Sequence, residues 1–283
     1  MNVHDVELLA CPETGAPLAF RGSSLEMQMM DGVLICPDSG EAWAVEQRVA
    51  RLYRDLWRVG ADAAVADQLD RIPAFIEPLQ ALSTLLAGGG RIADFREQVV
   101  AALDLPSLAG RRHARILEVG IGTAANLEPI QDNVPDGTML EMWGIDLSIG
   151  ALSVGRGRLE ADQRWHERLS LFLADPAHLP FRAGAFDRVL VCGGFDCFRD
   201  PQRVMSELSR VVSDDGWVVV IDKQPAAEGG PGVLGRMVLQ RIGQHAVSEP
   251  KAPVGHLPEG VRNVENSQLT PIHYLLRFQR PLA

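Results

Sequence analysis

Between Ile116 and Leu127 the chain reads ILEVGIGTAANL, and WGID follows at Trp143 to Asp146. A short apolar run, an acid, and then Gly120 and Gly122 ahead of a helix-forming segment specify strand, tight turn and helix. Glycine lacks Cβ and tolerates positive φ, so such a turn lets backbone approach a bound nucleotide closely. Gly120, Gly122 and Ala125 also satisfy the G-x-G-x-x-A form of the dinucleotide fingerprint, so NAD and S-adenosylmethionine (SAM) both have to be weighed.

Glu118 separates the two. It lies just ahead of Gly120, at the carboxyl end of the strand, where open α/β sheets bind their ligands. A carboxylate there opposes a pyrophosphate but complements the ammonium of an amino-acid moiety, which favours SAM.

With Glu118 included, the segment resembles motif I of the class I SAM-dependent methyltransferases (type 11/25), and the resemblance runs in order from about Arg111 to Pro281. In GIDLS, Asp146 matches the acid that accepts hydrogen bonds from the ribose hydroxyls. Asp175 in FLADPAHLPF matches the acid that reads the adenine amino group. FDRVLVCGG, from Phe186 to Gly194, looks like the fourth strand, with Cys192 and Gly193 where backbone approaches the methionine part of the cofactor. The resemblance thus implies Glu118, Gly120, Gly122, Thr123, Asp146, Leu147, Asp175, Pro176, Cys192 and Gly193 as cofactor-binding residues. It also implies an α/β fold with a Rossmann-like sheet, mostly parallel with an antiparallel last strand. S-adenosylhomocysteine would be the product.

Composition bounds the rest. At 283 residues and 46% hydrophobic content, the chain can bury a sizeable core as one large or two smaller domains. A formal net charge of −10 leaves no global electrostatic footprint for nucleic acid or an anionic membrane. The first residues lack the basic start and apolar core of a signal peptide, and no run approaches membrane-span length. Cys11, Cys36, Cys192 and Cys197 do not make a disulfide framework, so a reduced, cytoplasmic protein is expected.

Residues 1–54 carry one tetrad pattern twice, CPETG at Cys11 and CPDSG at Cys36. In a zinc ribbon each half would read C-P-x-C-G and the two knuckles would form a Cys₄ site. Here Thr14 and Ser39 stand where the second cysteines belong. The surrounding sequence resembles the small Trm112-like ribbon domains, including prolines, glycines and apolar spacing. Hydroxyls are poor zinc ligands and two thiolates rarely hold a structural zinc, so a ribbon without its metal is expected. A Cys11 to Cys36 disulfide is the lesser alternative.

Residues 55–109 read as a helical connector: two helices interrupted near Pro73 and Pro78, a break at Gly88 to Gly90, and a third helix ending before Pro106. By analogy it covers the substrate side of the cofactor pocket; equally, it merely packs the ribbon onto the catalytic domain. From residue 110 to 283, strands at Ile116 to Val119, Met142 to Ile145, Leu169 to Leu173 and Val189 to Cys192 alternate with helices, implying a parallel sheet covered on both faces. A helical stretch from Leu234 to Gly243 and a closing antiparallel hairpin are expected at the end.

Asp196 is the best candidate for a substrate contact or base, with a helix cap or loop acid as the bland alternative. Cys192 as nucleophile lacks a base at readable spacing. No histidine is assigned. The function expected is SAM-dependent methyl transfer to O, N or C of a small organic molecule, without zinc, nucleic acid or membrane. Its competitors are a methyltransferase acting on RNA or protein and a SAM-fold protein that does not transfer methyl.

Overall fold

Side chains alternate across a strand, so a strand covered on both faces must be apolar at every position. The run Ile116, Leu117, Val119 meets that demand: Ile116 belongs to the core on one face of the sheet, Leu117 and Val119 to the core on the other. The computed structural model describes residues 3–25, 28–86, 90–161, 169–224 and 252–282.

Four short strands open the chain: β1 (Ala19–Leu25), β2 (Gln28–Ile35), β3 (Ala42–Glu46) and β4 (Val49–Leu52), paired antiparallel in sequence order. Helices α1 (Gly60–Arg71), α2 (Ile76–Leu86) and α3 (Ile92–Ala102) follow. Then come β5 (His113–Val119), α4 (Leu127–Gln131), β6 (Met139–Asp146), α5 (Ile149–Ala161) and β7 (Leu169–Ala174). The chain finishes with β8 (Phe186–Cys192), α6 (Pro201–Val211), β9 (Val212–Lys223), β10 (Arg262–Thr270) and β11 (His273–Gln279).

One eleven-stranded sheet results, ordered β1-β2-β3-β4-β7-β6-β5-β8-β9-β11-β10. Its middle is parallel, and β11 runs antiparallel to β9, which sets Lys223 beside His273 and Asp222 beside Tyr274. The N-terminal ribbon continues this sheet: β4 pairs in parallel with β7, Leu52 opposite Ala174. Strand order reverses direction around β5, the switch point at which open α/β sheets leave a crevice.

Helix α6 and the ribbon pack on one face, around Trp143. Its indole stacks on Phe172 at 5.6 Å and meets Phe181 and Phe186 edge-on. Helices α3, α4 and α5 cover the other face. Of the two proline interruptions expected in the connector, only the one at Pro73 occurs, and Gly88 and Gly89 of the expected glycine break lie outside the described residues. Pro78 sits in the first turn of α2, where a missing N–H costs nothing because no acceptor precedes it. A register shift lies inside β9: Val212 pairs with Phe186 and Trp217 with Arg188, so residues 213–216 bulge out of the pairing. Leu234 to Gly243 lie outside the described residues. Among the described residues, no helix is long and apolar enough to cross a membrane.

The knuckles keep their turns without the missing thiols: Gly15 N–H donates to Cys11 O (2.8 Å) and Gly40 N–H to Cys36 O (2.9 Å). Thr14 Oγ1 lies 3.5 Å from Cys36 Sγ. All four cysteines are free thiols, so the disulfide alternative is not formed.

Gly144, in β6, admits no side chain: a Cβ there would lie 2.9 Å from Ile121 Cβ, beneath the glycine turn. Gly144→Ala is therefore expected to lower stability to urea by about 1–3 kcal/mol through overpacking. Adding Ile121→Ala should recover part of the loss; equal stability of wild type and Gly144→Ala would contradict this packing.

Candidate active site

The turn after β5 adopts the conformation that its glycines allow. Gly120 has φ +77° and Gly122 φ +54°, and no atom lies within 4 Å of a Cβ built on Gly122. Gly120 and Ile121 N–H both donate to Ile145 O, which ties the turn to the end of β6. Gly122 N–H donates to Asp146 Oδ2 (2.8 Å), and Ser148 N–H to Asp146 Oδ1 (2.8 Å). Asp146 is thereby fixed between the two loops above β5 and β6.

A cavity of about 390 Å³ opens over these strand ends. It brings together Glu118, Gly120, Gly122, Thr123, Asp146, Leu147, Pro176, Cys192, Gly193 and Asp196. Asp175 is buried next to it but is not among the lining residues. Its Oδ1 accepts from Ala177 N–H (2.8 Å), and its Oδ2 lies 3.4 Å from His178 Nδ1 and 3.7 Å from Arg199 Nη2. His178 in turn stacks on Trp57 at 4.6 Å, so the Asp175 turn is braced from the connector. Thr123 lines the cavity, but its hydroxyl donates to Glu77 Oε1 (2.7 Å).

Glu118 is 2% exposed, and Oε1 accepts from Asn126 Nδ2 (2.7 Å). Among the described residues, Oε2 has no hydrogen-bond partner. A buried acceptor left in that state costs about 1–3 kcal/mol. Burial pushes the Glu118 carboxyl up to about 8, with Asp146 adding to the rise against the hydrogen bond from Asn126. Burial likewise raises Asp146 and carries Asp222, at the end of β9, to about 6, with Asp196 contributing. The cavity thus gathers carboxylates that ionise reluctantly until a cation enters. SAM carries two cationic centres, an ammonium and a sulfonium, so these residues fit it: Glu118 for the ammonium, Asp146 for the ribose, and the open backbone of Gly120 and Gly122 for close approach.

The connector roofs the cavity and is pinned to both loops. Asp70 Oδ1 accepts from Ser148 Oγ (2.7 Å) and Gly150 N–H (2.8 Å), while Oδ2 pairs with Arg58 (2.9 Å). Glu77 holds Thr123 and pairs with Arg158. Leu69, Ile72, Ile76 and Leu79 face inward from α1, α2 and the bend between them. Sequence reasoning missed Asn126, Asp70, Glu77, Asp222, Lys223 and His273. Asp222, ending VVVID, had the same signal as Asp146, an acid closing an apolar strand. The others depend on long-range packing.

The two thiols that line the cavity, Cys192 and Cys197, are not activated. Burial pushes Cys192 up, and carries Cys197 to about 12 with Asp196 beside it, so neither is a nucleophile at neutral pH. Asp187 lies away from the cavity, bound to Arg111 and accepting Arg115 N–H (2.8 Å).

Comparison with known proteins identifies the family. The sequence profile described as Methyltransferase domain matches residues 117–220, and the one described as Trm112p-like protein matches residues 6–47. The demethylmenaquinone methyltransferase of Thermus thermophilus is 30% identical over 164 residues, covering 57% of this chain and 68% of that protein. The phosphatidylethanolamine N-methyltransferase of Cereibacter sphaeroides is 28% identical over 182 residues, covering 60% and 81%. The chain spans only 40% to 60% of several other methyltransferase relatives. A solved structure from Methanococcus maripaludis, assigned as a SAM-dependent methyltransferase, shares the fold with a TM-score of 0.52 at 12% identity, over 80% of this chain and 96% of that one. The chain belongs to the SAM-dependent methyltransferases, and it carries a Trm112-like segment ahead of the methyltransferase fold.

Glu118 sets a pH dependence whose sign is fixed. Its folded value of about 8 exceeds the ordinary 4.5, so between them the native state holds a proton that the unfolded chain has lost. The stability this confers is full below the ordinary value and is lost as pH rises through about 8. Without cofactor, wild type should lose about 2 kcal/mol more than Glu118→Gln between about pH 6 and about pH 8.5, read by urea denaturation. Identical pH profiles would contradict the buried-acid assignment.

Proposed function

We propose that this chain transfers the methyl group of SAM to a small organic acceptor with an apolar body, held under the α1–α2 roof. The observation that carries it is buried Glu118, which lines the cavity together with Asp146 and whose Oε2 has no hydrogen-bond partner among the described residues. Glu118, Gly120, Gly122, Asp146, Leu147, Pro176, Cys192 and Gly193 hold the cofactor, with Asp175 bracing the adenine side and Thr123 serving through its backbone. SAM when bound supplies an electrophilic methyl on a neutral leaving group. What the protein adds is alignment and exclusion of water, which supply much of the acceleration. Asp196, in the loop after β8, contacts the acceptor.

The relatives' acceptors, a demethylated quinone and a lipid amine by name, share an apolar body with one reactive centre. The inward apolar residues of the roof support that class here. We assign residues 1–54 as the ribbon, 55–109 as the roof-forming connector and 110–283 as the catalytic unit. The Thr14 contact on Cys36 supports a zinc-free ribbon, and the free thiols support a reducing, cytoplasmic setting. A net charge of −10 argues against RNA as substrate.

The test is formation of S-adenosylhomocysteine from SAM by the purified protein with demethylated naphthoquinols and phosphatidylethanolamine as acceptors, together with a zinc assay. Turnover should appear with an apolar acceptor and fall at least about a hundredfold in Asp146→Ala, whose loss leaves the cofactor without its ribose acceptor. Binding of cofactor without turnover on any acceptor would favour a non-transferring role. Salt-sensitive binding of tRNA with stoichiometric zinc would favour a macromolecular substrate.

A further inference from the structure

The cavity also holds a histidine whose tautomer is set by its neighbours. His273 opens β11 at the turn of the final hairpin, is 6% exposed, and lines the cavity beside Lys223 and Phe95. Its ring lies on Phe95 with centroids 4.3 Å apart, which fixes its plane. Nδ1 is 2.7 Å from Thr270 Oγ1, and that oxygen already accepts Ile272 N–H at 3.2 Å. Thr270 is itself buried, and its hydroxyl hydrogen needs an acceptor. Among the described residues, Nδ1 is the acceptor that its hydroxyl meets. The ring proton then sits on Nε2.

We propose that His273 offers Nε2–H as a neutral hydrogen-bond donor to an oxygen of the methyl acceptor, so that the site selects acceptors carrying a carbonyl, enolate or phenolate oxygen on an apolar ring. The assignment rests on the methyltransferase reading and adds the group that tells one apolar acceptor from another. A donor beside a cation suits an oxygen that bears or develops negative charge, and Lys223, opposite His273 in the β9–β11 pairing, supplies the cation. A site built to hydrogen-bond an oxygen rejects an analogue without one far more strongly than an apolar pocket rejects a change of shape.

The charged groups lining the cavity with His273 are Lys223 and Asp222 from β9, Asp196 from the loop after β8, Arg96 from α3, Asp62 from α1, Glu118 from β5 and Asp146 from β6. Burial, with Lys223, holds the His273 imidazolium down to about 4. His273 therefore stays neutral across the working range, and acceptor binding has no histidine titration in it.

Two measurements test this on the full chain saturated with S-adenosylhomocysteine. The first is nitrogen NMR of histidine-labelled protein, with the His273 signals assigned by their loss in His273→Gln. They should report a neutral ring protonated at Nε2 from about pH 5.5 to about pH 8. A ring protonated at Nδ1, or charged at neutral pH, overturns the proposal. The second is binding of 2-hydroxy-1,4-naphthoquinone, which is anionic at neutral pH, against 1-methylnaphthalene, which has no oxygen. Wild type should prefer the quinone, His273→Leu should weaken it about tenfold, and His273→Gln, which keeps an amide donor, should stay within about threefold of wild type. S-adenosylhomocysteine affinity should be the same in all three proteins. No preference in wild type, or unchanged binding in His273→Leu, overturns the proposal. Failure of wild type to bind S-adenosylhomocysteine instead sinks the methyltransferase reading on which it rests.

Discussion

One carboxyl oxygen, Glu118 Oε2, is buried without a hydrogen-bond partner among the described residues, and the surrounding site answers to it. A strand buried on both faces leads up to it, so the acid emerges from a rigid support at the edge of the crevice. The glycine turn that follows bends the chain back across β6 and leaves backbone, not side chain, facing the cavity. Asp146 and Asp222 come to the same crevice by the same route, each ending an apolar strand. Carboxylates raised by burial in one enclosure repel one another if ionised. A ligand bringing positive charge relieves all of them at once.

The connector makes that enclosure. Asp70 takes the N–H of Gly150 and the hydroxyl of Ser148, and Glu77 takes Thr123, so the roof is anchored on the same two loops that line the cavity. The cavity is consequently one space, with apolar residues of the roof on one side and acids of the strand ends on the other. Methyl transfer suits such a space, because the reaction asks for alignment and dryness more than for a strong acid or base. The ribbon contributes from the opposite side: it extends the sheet at β7, and Trp57 passes from Trp43 to His178 beneath the Asp175 turn.

The catalytic sheet was legible because its signals are local. ILEVGIGTAANL and WGID each hold a strand, its terminal acid and the following turn within a dozen residues, and both acids line the cavity over the strand ends. Asp175 was harder to read, since its neighbours His178 and Arg199 take its carboxylate and leave Pro176 at the cavity wall. The continuation of the ribbon into the main sheet had no signal in β4, whose few residues say nothing about their partner. Asp70, Glu77 and His273 were invisible for a related reason. Their roles come from contacts spanning many residues of chain, such as Asp70 with Ser148, and composition does not encode which distant loop a side chain meets. Pro78 misled because a proline in a first turn looks, in sequence, like one that breaks a helix.

The most direct measurement is the number of protons released when S-adenosylhomocysteine binds at neutral pH, obtained by titration calorimetry in buffers of differing ionisation enthalpy. A Glu118 carboxyl held at about 8 is mostly protonated in the free protein and must ionise to meet the ligand's ammonium. Wild type should therefore release close to one proton per ligand bound, and Glu118→Gln should release none while binding more weakly. Tight binding with no proton release, or the same release from the variant, would contradict a cofactor site organised around Glu118.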